Sequence, residues 1–368
     1  MRNRWCGWLV MVLAMMFARP AAAQDSARLV AEIDRFVRDS MPGMPFSGVV
    51  AVSRAGQPVL ARAYGTAHYE ASVPVTVETR FLIGSLQKQF TSAAVLLLQE
   101  RGRLSVDDPL CRYVEPCPAA WEPVRLRHLL THSSGIPDIF AVGFGQTRML
   151  PRSHDEIVAL FRDQPLQYAP GERFRYNNSG FILLGQIISR AAGMPWTQFM
   201  RDSLFAPLGM RNTGFADNAE VVAGMASGYS ARAGKVIRAQ FEDRTTATAD
   251  GNSTWSTAGD LLVWVHALRS GRVLAPASLA AMFGTHIRLD SGARAGQEYG
   301  HGWYTQRTGG ATMFSHGGVV PGFRSYAIHL PASDVTVMVL SNSELDVRPL
   351  AERVAAAFGF PPSSAQGR

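Results

Sequence analysis

The spacing of hydrophobic positions changes several times along the chain, and the changes mark out its elements. Between residues 25 and 40, Leu29, Ile33, Phe36 and Val37 share one face at helical spacing, with Asp25 or Ser26 placed to cap the start. Gly48–Ser53 and Pro58–Tyr64 are strand-like runs on either side of Arg54-Ala55-Gly56-Gln57, a pattern that predicts a β-hairpin. Helical spacing returns over 85–101, where Leu86, Phe90, Ala94, Leu97 and Leu98 fall together and Gly102 supplies a stop. From about 105 to 250, Pro and Gly punctuate short helical pieces at 123–132, 153–163, 179–192 and 196–205, and no clear strand is predicted. Another helix begins at Ser256-Thr257-Ala258-Gly259-Asp260, with Thr257 and Asp260 suited to a capping box. Strands are predicted at 299–305, 311–316, 323–330 and 335–341, with turns at Thr308-Gly309-Gly310 and Pro331-Ala332-Ser333. A last helix covers about 347–358.

Strands at both ends and helices between them predict an α/β fold of the α+β type. Residues 24–104 and 250–360 would build an antiparallel sheet domain flanked by helices, with 105–249 inserted as a helical domain. A ligand cleft is expected between the two. The chain has 368 residues, 47% hydrophobic and 18% charged, which supports a sizeable core and excludes disorder as the default. No repeat of 20 to 50 residues is found. The net charge is +7, but Arg2, Arg4 and Arg19 lie in the first 23 residues, which hold no acid; the remainder carries +4, seven less three. No basic run or Arg–aromatic stripe supports a nucleic-acid partner.

Arg2 and Arg4 precede an apolar run from Trp8 to Ala18, followed by Arg19-Pro20-Ala21-Ala22-Ala23. That is the pattern of a secretory signal peptide over residues 1–23, cut after Ala23, and the run is too short to anchor the protein in a membrane. Cys6 is not placed for a lipoprotein anchor and would leave with the leader. A periplasmic or secreted protein without an integral membrane anchor is expected. Cys111 and Cys117 would then meet an oxidising compartment and are expected to pair, the alternative being two buried thiols; their C-x5-C spacing is poor for zinc.

Three stretches carry candidate chemistry. In Ser85-Leu86-Gln87-Lys88 the serine opens a helix and Lys88 stands one turn later on the same face. Lys88 is one of only two lysines, the other being Lys235, among 34 arginines. A desolvated lysine can take a proton, which an arginine cannot. The alternative is a capping serine beside a solvated lysine. Tyr176-Asn177-Asn178 lies on a loop at a helix start. A tyrosine near ammonium groups has a lowered pKa and can relay a proton, and an asparagine can hold a substrate amide. The alternative is a capping cluster in which Asn178 or Ser179 closes the helix. Ser315-His316-Gly317-Gly318-Val319 ends a predicted strand, where glycines permit close approach and a backbone N–H can bind an oxyanion; the alternative is a plain turn. The chain holds no Gly-x-Ser-x-Gly elbow, no His-Glu-x-x-His and no phosphate loop. His128 and His132 sit four apart with no partner acid and read as structural histidines. No metal and no cofactor is expected.

Taken in order, these stretches resemble the serine β-lactamase and penicillin-binding-protein family, in its class C-like branch of class C β-lactamases, D,D-carboxypeptidases, D-aminopeptidases and related esterases. The likeness runs from about Phe46 to Asn342. It is supported by Phe81-Leu82-Ile83-Gly84 before the serine, by Leu129-Leu130-Thr131-His132-Ser133-Ser134-Gly135, and by Leu183-Leu184-Gly185. Pro207-Leu208-Gly209-Met210 and the Ser256-to-Asp260 helix start are also similar. The resemblance implies a five-stranded antiparallel sheet plus a helical domain. It implies Ser85 as nucleophile, Lys88 as its partner, Tyr176 as general base and Asn178 as the substrate-amide contact. His316 and Gly318 stand at the third motif, and the N–H groups of Ser85 and Val319 form the oxyanion hole. β-Lactamases of the family mostly carry Lys, then Thr or Ser, then Gly at the third motif; His316-Gly317-Gly318 lacks that hydroxyl and permanent charge. Histidine there is similar to D-aminopeptidase and esterase members, and Arg324 is a candidate replacement carboxylate contact, the alternative being a solvated strand arginine. The expected activity is two-step acyl transfer on a small-molecule or peptide amide or ester. The rival is an exported binding protein that keeps the fold without turnover.

Overall fold

A computed structural model describes residues 29–31, 33–35, 37 and 45–361. The expected leader at 1–23 with Cys6, the caps Asp25 and Ser26, and Phe36 lie outside the described residues. Within the 25–40 segment the described residues are helical, and Leu29 and Ile33 are buried.

The main sheet contains β1 (Gly48–Arg54), β2 (Gln57–Tyr64), β3 (Ile287–Arg288), β4 (Glu298–Tyr299), β5 (Tyr304–Thr308), β6 (Ala311–Val320), β7 (Phe323–Leu330) and β8 (Val335–Ser341). Their spatial order is β3-β4-β5-β6-β7-β8-β1-β2, antiparallel throughout. The expected count of five is therefore corrected to eight. The run expected at 299–305 is two strands: Gly302 takes a φ of 80°, the backbone reverses, and Tyr299 pairs with Tyr304. Ile287–Arg288 then adds to the outside edge. The strand expected at 311–316 continues to Val320, so His316-Gly317-Gly318-Val319 lies within β6 rather than in a turn.

β1 sits between β2 and β8, joining the two ends of the chain, with Val50 opposite Val339 and Val52 opposite Val337. β1 and β8 are buried on both faces, which is why they read as nearly continuous apolar runs, whereas the edge strand β2 is largely exposed. Alternate residues serve different layers. Val50, Val52, Ile328, Val337 and Val339 pack in one apolar cluster with Leu350, Ala351 and Val354. Val49, Ala51, Ala327, Met338 and Leu340 join the larger cluster on the other face.

Four helices matter for the site: α1 (Gln87–Glu100), α2 (Asn178–Ala192), α3 (Ala258–Arg269) and α4 (Arg348–Ala356). α3 packs on β8 and β1, α4 on β7 and β8, and α1 on α2. Phe90 of α1 meets Trp264 of α3 edge-on at 4.6 Å and Phe205 at 5.0 Å, so one continuous core ties the sheet to the middle of the chain. Each such buried side chain contributes about 1.5–3 kcal/mol.

The helical pieces of the middle region form near the expected places, at Leu126–Leu130, His154–Arg162 and Trp196–Met200. Ser153 and Glu156 complete a reciprocal capping box. Thr257 caps α3 by accepting from the Asp260 N–H, but the Asp260 carboxylate turns to Asn212 and Thr213, so the expected reciprocal box is only half made. The expectation of no strands over 105–249 is also corrected. Gly214–Phe215 pairs with Thr254–Ser256, and Tyr229–Arg232 forms a hairpin with Lys235–Arg238. Strands of two to four residues are too short to show a period in sequence. Cys111 and Cys117 are disulfide-bonded, with Cα atoms 5.3 Å apart. Among the described residues no helix is long and apolar enough to cross a membrane.

Candidate active site

Ser85 lies in a tight turn, Gly84–Leu86, that leads into α1. Two glycines let this turn press against β6. Gly84 has a φ of 54°, and a Cβ there would lie 2.7 Å from the Val319 nitrogen. A Cβ on Gly318 would lie 1.9 Å from the Ile83 carbonyl oxygen, which instead accepts a 2.7 Å bond from Ser325 Oγ. The Ser85 and Val319 backbones are thereby brought side by side.

Lys88 is fully buried, an arrangement that demands partners. Its ammonium has three donors, and three acceptors meet it: Ser85 Oγ at 3.0 Å, Asn178 Oδ1 at 2.9 Å and the Asp250 carbonyl at 2.9 Å. The Tyr176 and Phe181 rings lie 5.0 and 5.3 Å from it. Burial lowers its pKa to about 8, against the opposing pull of Asp250 and Asp138.

The Tyr176 hydroxyl is buried and completes no hydrogen bond. The Ser85 hydroxyl lies near enough to favour the phenolate, yet burial is the larger effect and raises the Tyr176 pKa strongly. The expected lowering of the tyrosine pKa is thus reversed: desolvation outweighs the neighbouring cation, and the group rests as a phenol. Asn177, not Asn178 or Ser179, caps α2, its Oδ1 accepting from the Gly180 N–H at 2.7 Å. That leaves Asn178 free for the site. Asp138 holds it in place, accepting from the Asn178 backbone N–H at 2.5 Å and from Nδ2 at 3.1 Å.

His316 is buried at the end of a chain of hydrogen bonds. His132 Nδ1 lies 3.0 Å from both the backbone N–H and the carbonyl of Asn177, His132 Nε2 is 3.1 Å from the Tyr299 hydroxyl, and that hydroxyl is 3.2 Å from His316 Nε2. His316 Nδ1 lies 2.7 Å from the Gly317 carbonyl, an acceptor, so this nitrogen carries the proton and Nε2 accepts from Tyr299. Both rings are neutral at neutral pH. Burial lowers the His316 pKa to about 3 and holds that of His132 far below its usual value, with Lys88 adding to both. His132 is therefore a packed histidine that also braces the site, while His128 stands apart, its Nδ1 accepting from the Arg125 N–H.

Ser85, Tyr176, Asn178, His316, Gly318 and Val319 all line one cleft of about 570 Å³, with Lys88 buried behind Ser85. Arg324 lines it too, its guanidinium donating to the Val320 and Phe323 carbonyls. Sequence reasoning missed Asp138, Asp250, Glu242, Arg294 and Tyr299. Arg294 lies 4.0 Å over the Tyr304 ring and donates to Gln297 and the Tyr326 hydroxyl. All five come from loops or a two-residue strand, where no periodicity flags them. Among the described residues no three His, Cys, Asp or Glu side chains gather as metal ligands. Chemically, the arrangement offers a hydroxyl beside a desolvated amine, with a phenol and a carboxamide at hand.

Comparison with known proteins is consistent with this geometry. Residues 33–359 match the family model described as Beta-lactamase. The chain is 29% identical over 318 residues to a penicillin-binding protein of Bacillus subtilis (strain 168), covering 82% of this chain and 69% of that protein. The octameric penicillin-binding protein homologue from Pyrococcus abyssi superposes with a TM-score of 0.80 at 28% identity, covering 93% of this chain and 78% of the other. The D-amino acid amidase from Ochrobactrum anthropi SV3, solved with D-phenylalanine, superposes with a TM-score of 0.78 at 25% identity, covering 91% and 99%.

Proposed function

The chain belongs to the beta-lactamase family, and we propose that it is a serine hydrolase that opens an amide or ester through an acyl-enzyme on Ser85. The observation that carries this reading is the 3.0 Å contact between Ser85 Oγ and a fully buried Lys88 at the wall of an open cleft. With a pKa lowered to about 8, Lys88 gives up its proton close to neutral pH and then accepts one from Ser85. Ser85 Oγ adds to the substrate carbonyl carbon, and the oxyanion rests on the backbone N–H groups of Ser85 and Val319. The bond to the leaving amine or alcohol breaks as that group takes the proton from Lys88 by way of the Tyr176 hydroxyl. Water then cleaves the acyl ester, releasing the acid and restoring Ser85. Lys88 and Tyr176 act as one coupled pair, with the amine as proton acceptor and the phenol as relay.

A neutral His316 at the third motif leaves out the permanent cation that a substrate carboxylate would meet there. That favours amides or esters lacking a carboxylate next to the scissile bond over penicillins, and aligns the chain with the amidase among its structural neighbours. We place the reaction outside the cytoplasm, a reading supported by the leader-like N-terminal pattern and the Cys111–Cys117 disulfide. The test is covalent labelling. A fluorophosphonate should add its mass to the wild type at Ser85 and leave Ser85→Ala unlabelled. A folded wild type that takes no label would instead be a binding protein. A panel of p-nitrophenyl esters, amino-acid amides and nitrocefin then sorts the substrate class, with nitrocefin expected to be the poorest.

A further inference from the structure

Glu242 lines the same cleft as Ser85 and Tyr176 and is only 6% exposed. Its backbone carbonyl accepts from Asn218 Nδ2, but no hydrogen bond and no ion pair within 4.0 Å reaches its carboxyl group among the described residues. A carboxyl so deeply buried is ordinarily paired, because leaving the charge unsatisfied is costly. The charged groups that face it are Arg148, Arg244 and Asp250. Arg148 lines the same cleft, with one guanidinium nitrogen donating to Gln240 Oε1 at 2.6 Å and its buried Nε without a hydrogen-bond partner. Arg244 does not line the cleft but shares a neighbouring pocket with Glu242, and Asp250 adds a second negative charge beside Glu242. Arg152 and Asp243 line the adjoining side pocket, the arginine donating to the Thr147 carbonyl and the aspartate accepting from Thr245. Burial outweighs both facing arginines and raises the Glu242 pKa to about 7. The cleft thus contains a buried acid that no cation among the described residues reaches within 4.0 Å.

We propose that Glu242 is the docking point for a primary ammonium carried by the substrate whose carbonyl faces Ser85. The three N–H donors of an ammonium suit a lone carboxyl with a second acid, Asp250, beside it. A bound cation would hold Glu242 in its charged form and remove the cost of its isolation. Arg294, which also lines the cleft, acts on Tyr176, Tyr304 and His316 rather than on Glu242. This rests on the hydrolase reading for the statement that the ligand is a substrate.

Binding, measured without turnover, tests the inference apart from that reading. Calorimetric titrations of the full chain compare benzylamine with benzyl alcohol, which has the same shape without the charge. The wild type should prefer the amine, and Glu242→Gln should reduce that preference by roughly tenfold or more. In the wild type the preference should grow from about pH 6 to about pH 8, as the carboxyl ionises. A preference unchanged in Glu242→Gln overturns the inference, as does a pH gain that survives in that variant, since the gain would then belong to Lys88. If Glu242→Gln does not fold, Glu242→Asp should keep part of the preference, and a wild type with no amine preference overturns the inference unaided. Fluorophosphonate labelling reads Ser85 alone, so the two proposals fail separately.

Discussion

On the side of the sheet covered by α4, the strands present Val50, Val52, Ile328, Val337 and Val339 to Leu350, Ala351 and Val354, an apolar layer that asks only for volume to be filled. On the other side, the same strands and their neighbours present His316, Gly318 and Ser325 to a turn that carries Ser85, with Lys88 behind it. Lys88, His316, Gly318 and Ser325 are buried as the apolar layer is, while Ser85 is half-buried at the cleft. The first gains stability from every side chain and tolerates exchange by size and shape. The second spends stability on desolvated polar groups and holds them only through specific partners, three for Lys88 alone. The Tyr176 hydroxyl, which has no hydrogen-bond partner, and Glu242 both line the cleft. One protein therefore contains a layer built for stability and a layer built for chemistry, and they can be perturbed separately.

The sharpest break is expected at Lys88. Lys88→Met should slow acylation of a p-nitrophenyl ester by roughly 1,000-fold or more, since it removes the proton acceptor. In the wild type the acylation rate should climb with pH as Lys88, with its pKa lowered to about 8, loses its proton. A rate independent of pH between 6 and about 9 would assign the base role elsewhere. On the opposite layer, Leu350→Ala should cost about 2–5 kcal/mol in denaturant unfolding while the folded fraction keeps its kcat/KM. Comparable losses of activity there would mean that the two layers are coupled.

Acid should act on the cleft layer next. His316 is held near 3 in the folded protein against an ordinary 6.5, so the unfolded chain binds the extra proton first. Its contribution is complete above 6.5 and is lost as pH falls towards 3, about 3 kcal/mol of it by pH 4. Denaturant midpoints at the two pH values should therefore differ less in His316→Gln than in the wild type. Asn177→Ala removes the α2 cap and a bond to the Ile136 carbonyl, with an expected cost of about 1–2 kcal/mol. The smallest effect belongs to the second lysine. Lys235 is exposed on a hairpin, and Lys235→Ala should change stability by less than about 0.5 kcal/mol and leave acylation as it was.

Much of this architecture was legible before any coordinates. Helix periods, the hairpin at 54–57 and the apolar strand runs are local signals, and local signals survive in a one-dimensional string. The Ser85–Lys88 spacing is one helical turn, so its geometry too was local. What escaped was short or non-local. The break at Gly302 divides a run that alternation alone reads as one strand, and the two-residue edge strands have no period to detect. The glycines of β6 read equally well as a turn; only the press of Ile83 against Gly318 shows why they sit in a strand.

The string of residues by itself determined which groups the site has to work with: a rare lysine one turn from a serine, a tyrosine and two asparagines at a helix start, and a histidine followed by two glycines. Tertiary structure decided what those groups are. Burial lowered the lysine's pKa to about 8, kept the tyrosine a phenol against expectation, neutralised the histidine with Lys88 adding to the effect, and left Glu242 facing the cleft with no ion pair within 4.0 Å. Charge state depends on how much water and which neighbours surround a group, and both come from residues far away in the chain.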